Sequence, residues 1–236
     1  MGYVLPEVYQ SLCSQLSQKL PKVFIETGTY MGGIPHRMLD ENKSLNPFEK
    51  IYTIELGEDI AKVASKRYKL FEEHNCDSNL FNAHTTEKDE SFSGSQTYFD
   101  GRLTLINGDS SVELEKLLKT IDEPCCFWLD AHAGASKFAR GDVDVPLLKE
   151  LEVIKKHHIK NHVIAIDDAH LFGETHNDSS GNVLCDYTTI QKDVVEKALK
   201  DINKDYLVNY GSPYGSLMLA AGVEGNKMEG STWWNK

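Results

Sequence analysis

Apolar residues in this chain come in short runs that each stop at an acid or a glycine, and the stretches between them carry helical periodicity. Val23-Phe24-Ile25 ends at Glu26, and Ile51 to Ile54 ends at Glu55. Leu103 to Ile106 ends near Gly108-Asp109, Cys125 to Leu129 at Asp130, and His162 to Ile166 at Asp167-Asp168. Helical spacing covers Asp59 to Phe71, Ser111 to Leu118 and Pro146 to His157, with a further helix over Pro6 to Leu20. Ser110 is the expected N-cap of the helix at 111–118, with Glu113 completing the pattern, and Pro146 suits a first helical turn. Strands alternating with helices predict βαβ units, hence a mostly parallel sheet with right-handed crossovers.

Two regions break this rhythm. Tyr206 to Tyr210 and Leu217 to Ala221 are strand-like and joined only by a short turn containing Gly211, Pro213 and Gly215. A parallel pair would need a crossover of roughly a dozen residues, so an antiparallel hairpin is expected. Glu72 to Gly101 is polar and rich in Asn, Ser, Asp and Thr; it reads as an insertion, a surface loop or oligomer contact. Because it enters a parallel strand from its beginning, it is expected at the edge of the sheet away from the ligand crevice. Residues 224–236 read as a loose tail in which Trp233-Trp234 has no evident role. With 236 residues and this continuous alternation, 1–236 is expected to form a single domain.

Composition narrows the classes. Five cysteines, odd in number and without CxxC spacing, fit buried reduced thiols and a cytoplasmic protein, not a disulfide framework or a zinc site. No run approaches the ~18–20 apolar residues of a membrane span, and the start lacks a signal-peptide pattern. The net charge of −11 disfavours a polymeric nucleic-acid partner and suits compact neutral or cationic ligands.

Ligands of open α/β sheets bind outside the carboxyl ends of the strands, where strand order reverses. The turn after the first strand, Glu26-Thr27-Gly28-Thr29-Tyr30-Met31-Gly32-Gly33, has glycines that let backbone approach a ligand closely. Glu55, at the end of the second strand, is placed to accept both hydroxyls of a ribose, and Asp109, after the third, can accept from the amine of adenine. The turn resembles the E-x-G-x-x-x-G motif of class I S-adenosylmethionine-dependent methyltransferases and departs from the dinucleotide pattern G-x-G-x-x-G. The terminal hairpin is similar to that fold as well. The resemblance implies an α/β, Rossmann-like class I methyltransferase fold: a mostly parallel seven-stranded sheet with an antiparallel C-terminal hairpin strand and helices on both faces. It further implies that S-adenosylmethionine is held by Glu26, Thr27, Gly28, Thr29 and Gly32 at its methionine part, by Glu55 at the ribose, and by Gly108, Asp109 and Ser110 at the adenine.

Leu129-Asp130-Ala131-His132 ends one strand and Ile166-Asp167-Asp168-Ala169-His170 ends the next. Three carboxylates converging beside a cofactor repel one another unless protonated or bridged by a cation. Oxygen ligands favour a hard ion, Mg²⁺ first, with Mn²⁺ or Ca²⁺ as alternatives, on Asp130, Asp167 and Asp168. The glycine turn, L-D-x-H and I-D-D together resemble the metal-dependent sugar O-methyltransferases of the macrocin and novobiocin tailoring type. That resemblance implies methyl transfer to a sugar hydroxyl, such as that of a rhamnose-like deoxyhexose, free, nucleotide-linked or in a glycan. It makes His132 the general base, beside the metal ligand Asp130. His170 is the competing base and reads more simply as a supporting residue; His157, His158 and His162 read as solvated. The polar segments Ala133 to Val145 and Phe172 to Asp186 suit mobile loops over a hydroxylated acceptor, with Lys137 and Arg140 available to a phosphate. Alternatives are a catechol-type or other small-molecule O-methyltransferase, a non-catalytic cofactor-binding module, and a nicotinamide-dependent oxidoreductase.

Overall fold

The apolar runs become the centre of one sheet. The computed structural model describes residues 6–16, 18–39, 48–74, 92, 94–134, 139–211 and 217–222. Its strands are β1 (Val23–Thr27), β2 (Lys50–Glu55), β3 (Ser95–Tyr98), β4 (Leu103–Asn107), β5 (Cys125–Leu129), β6 (Val163–Ile166), β7 (Thr175–Asn177), β8 (Val183–Asp186), β9 (Leu207–Gly211) and β10 (Leu217–Ala221). Its helices are α1 (Pro6–Gln15), α2 (Gly33–Leu39), α3 (Glu58–Glu73), α4 (Ser110–Leu118), α5 (Leu147–Lys156) and α6 (Lys192–Ile202). An eight-stranded sheet runs in the order β3-β4-β2-β1-β5-β6-β10-β9, and β7-β8 form a separate ribbon. β4, β2, β1, β5 and β6 are mutually parallel, so the order reverses between β1 and β5 and the crevice opens there.

Alternation along the strands builds two cores. Val23, Ile25, Cys125, Phe127 and Leu129 face α4, α5 and α6, where Leu114, Leu117, Leu151, Ile154, Val195 and Leu199 close over them. Phe24, Cys126 and Trp128 face the other way, onto Tyr9, Leu12, Met38, Ala64, Tyr68 and Phe71 of α1, α2 and α3. The adjacent Cys125 and Cys126 therefore point to opposite faces, and the described cysteines Cys13, Cys125, Cys126 and Cys185 are all free and buried. Each fully buried aromatic such as Phe127 or Phe24 contributes ~1.5–3 kcal/mol by leaving water.

Several expectations change in detail. The sheet has one strand more than seven, because the polar insertion contains β3, which pairs antiparallel with β4. Gly94 accepts from the Asn107 N–H at the carboxyl end of β4, so the described end of the insertion leaves from the ligand side, not the far edge. Most of the insertion, the 224–236 tail with Trp233-Trp234, and Cys76 lie outside the described residues. The first helix stops at Gln15, and Pro146 occupies the N-cap of α5 rather than its first turn. The terminal hairpin is as expected: β10 is antiparallel to both β9 and β6. Among the described residues, no helix is long and apolar enough to cross a membrane.

Candidate active site

The glycine turn after β1 is fixed by backbone. Gly28 and Thr29 donate to the Ile54 carbonyl at 2.9 and 3.3 Å, and Gly32 donates to Thr29 at 2.9 Å. Gly28 has φ +84°, and a Cβ there would lie 2.5 Å from the Asp130 carbonyl oxygen. Only glycine permits that approach, which presses the turn against the exit of β5. Gly32, with φ +76°, similarly lies over the Tyr68 ring, where a Cβ would meet ring atoms at 2.8–2.9 Å. Beneath the turn, buried Glu26 accepts from the Thr53 hydroxyl, which also meets that of Thr29. Burial pushes the Glu26 carboxyl well above its ordinary range.

Glu55 closes the other side. Its two oxygens accept from the N–H groups of Tyr30 and Gly57, both at 2.9 Å, and its pKa is raised by burial against those bonds. The N-cap of α4 is Asp109, not Ser110: its Oδ1 accepts from Ser111 N at 2.8 Å and from the Ser111 hydroxyl at 2.6 Å. Ser110 is the buried first residue of the helix. Gly108 donates to Glu55 O at 2.9 Å and ties the ends of β4 and β2 together. The segment after β5 returns over this region: a methyl at Gly141 would lie 3.5 Å from Asp109 Oδ2 and 3.6 Å from Leu56 Cδ2. A glycine turn on one side and the spare lone pairs of Glu55 and Asp109 on the other fit the hydroxyl and amine donors of an adenosyl group.

The catalytic candidates stand next door. His132 Nε2 lies 3.7 Å from Asp130 Oδ1 and 3.5 Å from Asp168 Oδ2, and one donor atom from each residue falls within 4.8 Å of the others. His132 Nδ1 is 2.7 Å from the Ala133 carbonyl, which can only accept, so in the neutral ring the Nε2 lone pair faces the carboxylates. Three electron-rich groups turned on one another are the donor chemistry of a cation site, and the set fits a divalent ion. Asp168 adopts the left-handed region, φ 56° and ψ 22°, a placement that costs a non-glycine residue about 1–2 kcal/mol and aims its carboxylate back at His132. Asp130 is pushed well above the ordinary carboxylate range by burial first, then by Asp167 and Asp168.

Asp167, expected as the third metal ligand, does not belong to this convergent set. Its Oδ1 accepts from the Asp168 N–H at 2.9 Å and its carboxyl is buried and raised by burial. His132 takes the third place instead. Two participants escaped the sequence reading. Tyr187, just beyond the anticipated loop, donates to Asp168 Oδ2 at 3.2 Å and stands 6.2 Å from the His132 ring. Glu150 lines the same cleft from α5 although its helix pattern gave no sign of it.

His170 lies 4.0 Å from Asp168 Oδ1 and largely faces solvent, as a supporting group. His157 and His162 are buried, not solvated: Cys125 N donates to His162 Nδ1 at 3.0 Å, His162 Nε2 meets His157 Nδ1 at 3.2 Å, and His157 Nε2 meets the Ile121 carbonyl at 2.9 Å. Of these three, only His158 is exposed, paired with Asp122. The expected loop at 172–186 is the β7–β8 ribbon, and Arg140 ties it to the segment after β5 by donating to Asp144 Oδ1 and to the Leu184 carbonyl at 2.8 and 2.7 Å. Lys137 lies outside the described residues.

No family model matches the sequence, and no curated protein is significantly similar to it. Solved structures are similar in fold. Human methyltransferase-like protein 13, in complex with SAH, superposes with a TM-score of 0.52 at 13% identity, over 94% of this chain and 84% of that one. The methyltransferase domain of a bacterial Hen1 gives 0.48 at 13% identity, over 92% and 96% of the two chains. The SAH-bound Podospora anserina methyltransferase PaMTH1 gives 0.46 at 12%, over 92% and 78%. The chain therefore has the α/β, Rossmann-like methyltransferase fold, mostly parallel with antiparallel strands and with helices on both faces.

Proposed function

We propose that this protein is an S-adenosylmethionine-dependent O-methyltransferase, assisted by a divalent cation, that methylates a hydroxyl of a sugar. The observation that carries the reading is the meeting of Asp130, His132 and Asp168 at the ends of β5 and β6, with Gly28 of the glycine turn pressed on the Asp130 carbonyl. When bound, the cofactor supplies an electrophilic methyl group on sulfur, and the cation supplies a Lewis acid to neighbouring acceptor hydroxyls. Glu26, Thr27, Gly28, Thr29, Gly32, Glu55 and Gly108 to Ser110 would hold and orient the cofactor. Asp130 and Asp168 would hold the cation. His132 would take the proton from the acceptor hydroxyl, a contribution typically of about 10²–10⁴-fold. Tyr187 steadies Asp168 through its hydroxyl.

One nitrogen cannot ligate a cation and accept a proton at once, so His132→Ala separates the roles. As base, it loses turnover and keeps cation affinity; as third ligand, it loses both. The cleft beside these residues is lined by Asp130, His132, Glu150, Asp167 and Tyr187. A second acceptor class, an aromatic vicinal diol, is favoured by Tyr187, whose ring gives the cleft an aromatic wall beside His132. Mass spectrometry of sugar and catechol acceptors incubated with cofactor and Mg²⁺ or Mn²⁺ decides between them. Methyl transfer that survives complete chelation would remove the cation from the reaction. Tight binding of NAD without binding of S-adenosylhomocysteine would overturn the cofactor reading.

A further inference from the structure

We propose that Glu150 is a positioning residue of the cofactor crevice, acting through the hydroxyls of Thr27 and Ser110 on the two backbone segments that frame the adenosyl group. The inference rests on the cofactor reading above and concerns a residue to which that reading gives no part.

Glu150 belongs to the buried side of α5 and is 1% exposed. Among the described residues, no group completes a hydrogen bond to either of its carboxylate oxygens, and the Thr27 hydroxyl is likewise incomplete. The hydroxyls of Ser110 and Thr27 nevertheless lie beside it. Burial, with a smaller push from Asp109, lifts the carboxyl to about 7, while those two hydroxyls hold it down.

Their places in the chain give the cluster its meaning. Thr27 is the last residue of β1, immediately before Gly28; Ser110 opens α4, immediately after Asp109. One carboxyl thus reaches both the turn assigned to the methionine part and the segment assigned to the adenine. Glu150 also edges the acceptor cleft, yet both of its hydroxyl neighbours are cofactor residues, which favours the cofactor side.

A purely structural role would be served better by leucine. An incompletely bonded buried carboxyl weakens a fold, and replacing such a group by an apolar one of similar size is often neutral or stabilising. Small adjustments of Thr27 and Ser110 around a ligand would complete the bonds, so that ordering of Glu150 is coupled to binding.

Calorimetric titration of S-adenosylhomocysteine into wild type, Glu150→Leu and Glu150→Gln, with the Tm of each, tests this. Glu150→Leu is expected to match or exceed the wild-type Tm yet bind about tenfold or more weakly, the scale of losses when a supporting residue is removed. Glu150→Gln, which retains an acceptor and a donor, is expected to restore binding to within about threefold, and kcat at saturating cofactor should hold in both variants. Should Glu150→Leu not fold, Glu150→Met carries the test with the same expected loss. Binding of S-adenosylhomocysteine by the variant within about twofold of wild type, weakening that tracks a fallen Tm, or an effect confined to acceptor KM would overturn the proposal. If wild type itself does not bind S-adenosylhomocysteine, it is the cofactor reading that fails.

Discussion

Replacing His162 by asparagine should make the fold less sensitive to acid, even as it weakens it at neutral pH. His162 is fully buried, accepts from the Cys125 N–H and meets His157, and burial with the neighbouring His157 pushes its pKa down to about 3. An unfolded histidine titrates near 6.5. Below that pH the unfolded chain takes up a proton that the fold refuses, so stability is lost as pH falls from about 6.5 towards 3. The slope is about 1.36 kcal/mol per pH unit, which gives about 2.7 kcal/mol between pH 6.5 and 4.5. The raised carboxyls of Glu26, Asp130 and Glu150 act in the opposite sense, because the fold then binds more protons than the unfolded chain. Their contribution is common to both proteins and cancels in the difference. Asparagine at 162 can still accept from Cys125 but does not titrate, and it leaves His157 Nδ1 without its donor. The variant should therefore be less stable by roughly 1–3 kcal/mol at pH 7.5. Urea denaturation at pH 7.5 and pH 4.5 should show that deficit shrink, or reverse, by about 2.7 kcal/mol. A deficit equal at the two pH values would refute a neutral His162 held within the fold.

Four further outcomes follow from the site. Gly28→Ala places a Cβ 2.5 Å from the Asp130 carbonyl oxygen at positive φ; thermal unfolding should show a loss of about 2 kcal/mol or more, with S-adenosylhomocysteine affinity falling alongside. Asp168→Asn keeps the shape but removes a charge, and single-turnover rates at fixed cation should fall about 10²-fold or more, whereas Tyr187→Phe, which removes only the donor to Asp168, should cost about 10–100-fold in cation affinity or activity. Arg140→Ala cuts the tie between the post-β5 segment and the β7–β8 ribbon; as an exposed contact it should leave Tm almost unchanged, while steady-state kinetics show a several-fold higher cofactor KM at similar kcat.

What the sequence made legible follows from burial. β1, β2, β4, β5 and β6 lie in the interior of the sheet, so each reads as an apolar run, and the acids at their ends mark the crevice directly. β3, whose residues are Ser-Gln-Thr-Tyr, is an edge strand with a polar face, and nothing in its periodicity separates it from the loop around it. The β7–β8 ribbon is hidden for the same reason, its first strand being wholly exposed. Site residues on strand ends were visible, but those brought in by packing were not. Glu150 reads as an ordinary helix-surface glutamate, because local spacing does not reveal that α4 approaches from the side. His157 and His162 are separated by a loop, and only its return makes them partners. The exchange of Asp167 for His132 in the convergent set turns on the backbone of Asp168, a left-handed residue that periodicity cannot foretell.

The place of β10 bears on how the chain acquires its structure during synthesis. β10 is inserted between β6 and β9, so the flank of β6 stays unpaired until residues 217–221 have emerged. Until then a nascent chain already carrying both halves of the proposed site displays a bare, apolar strand edge, Val163–Ile166, of the kind that recruits other strands. Ribosome-bound or prematurely terminated chains ending before Leu217 should thus be substrates for chaperones and proteases rather than partial enzymes, which makes β10 the gatekeeper of release.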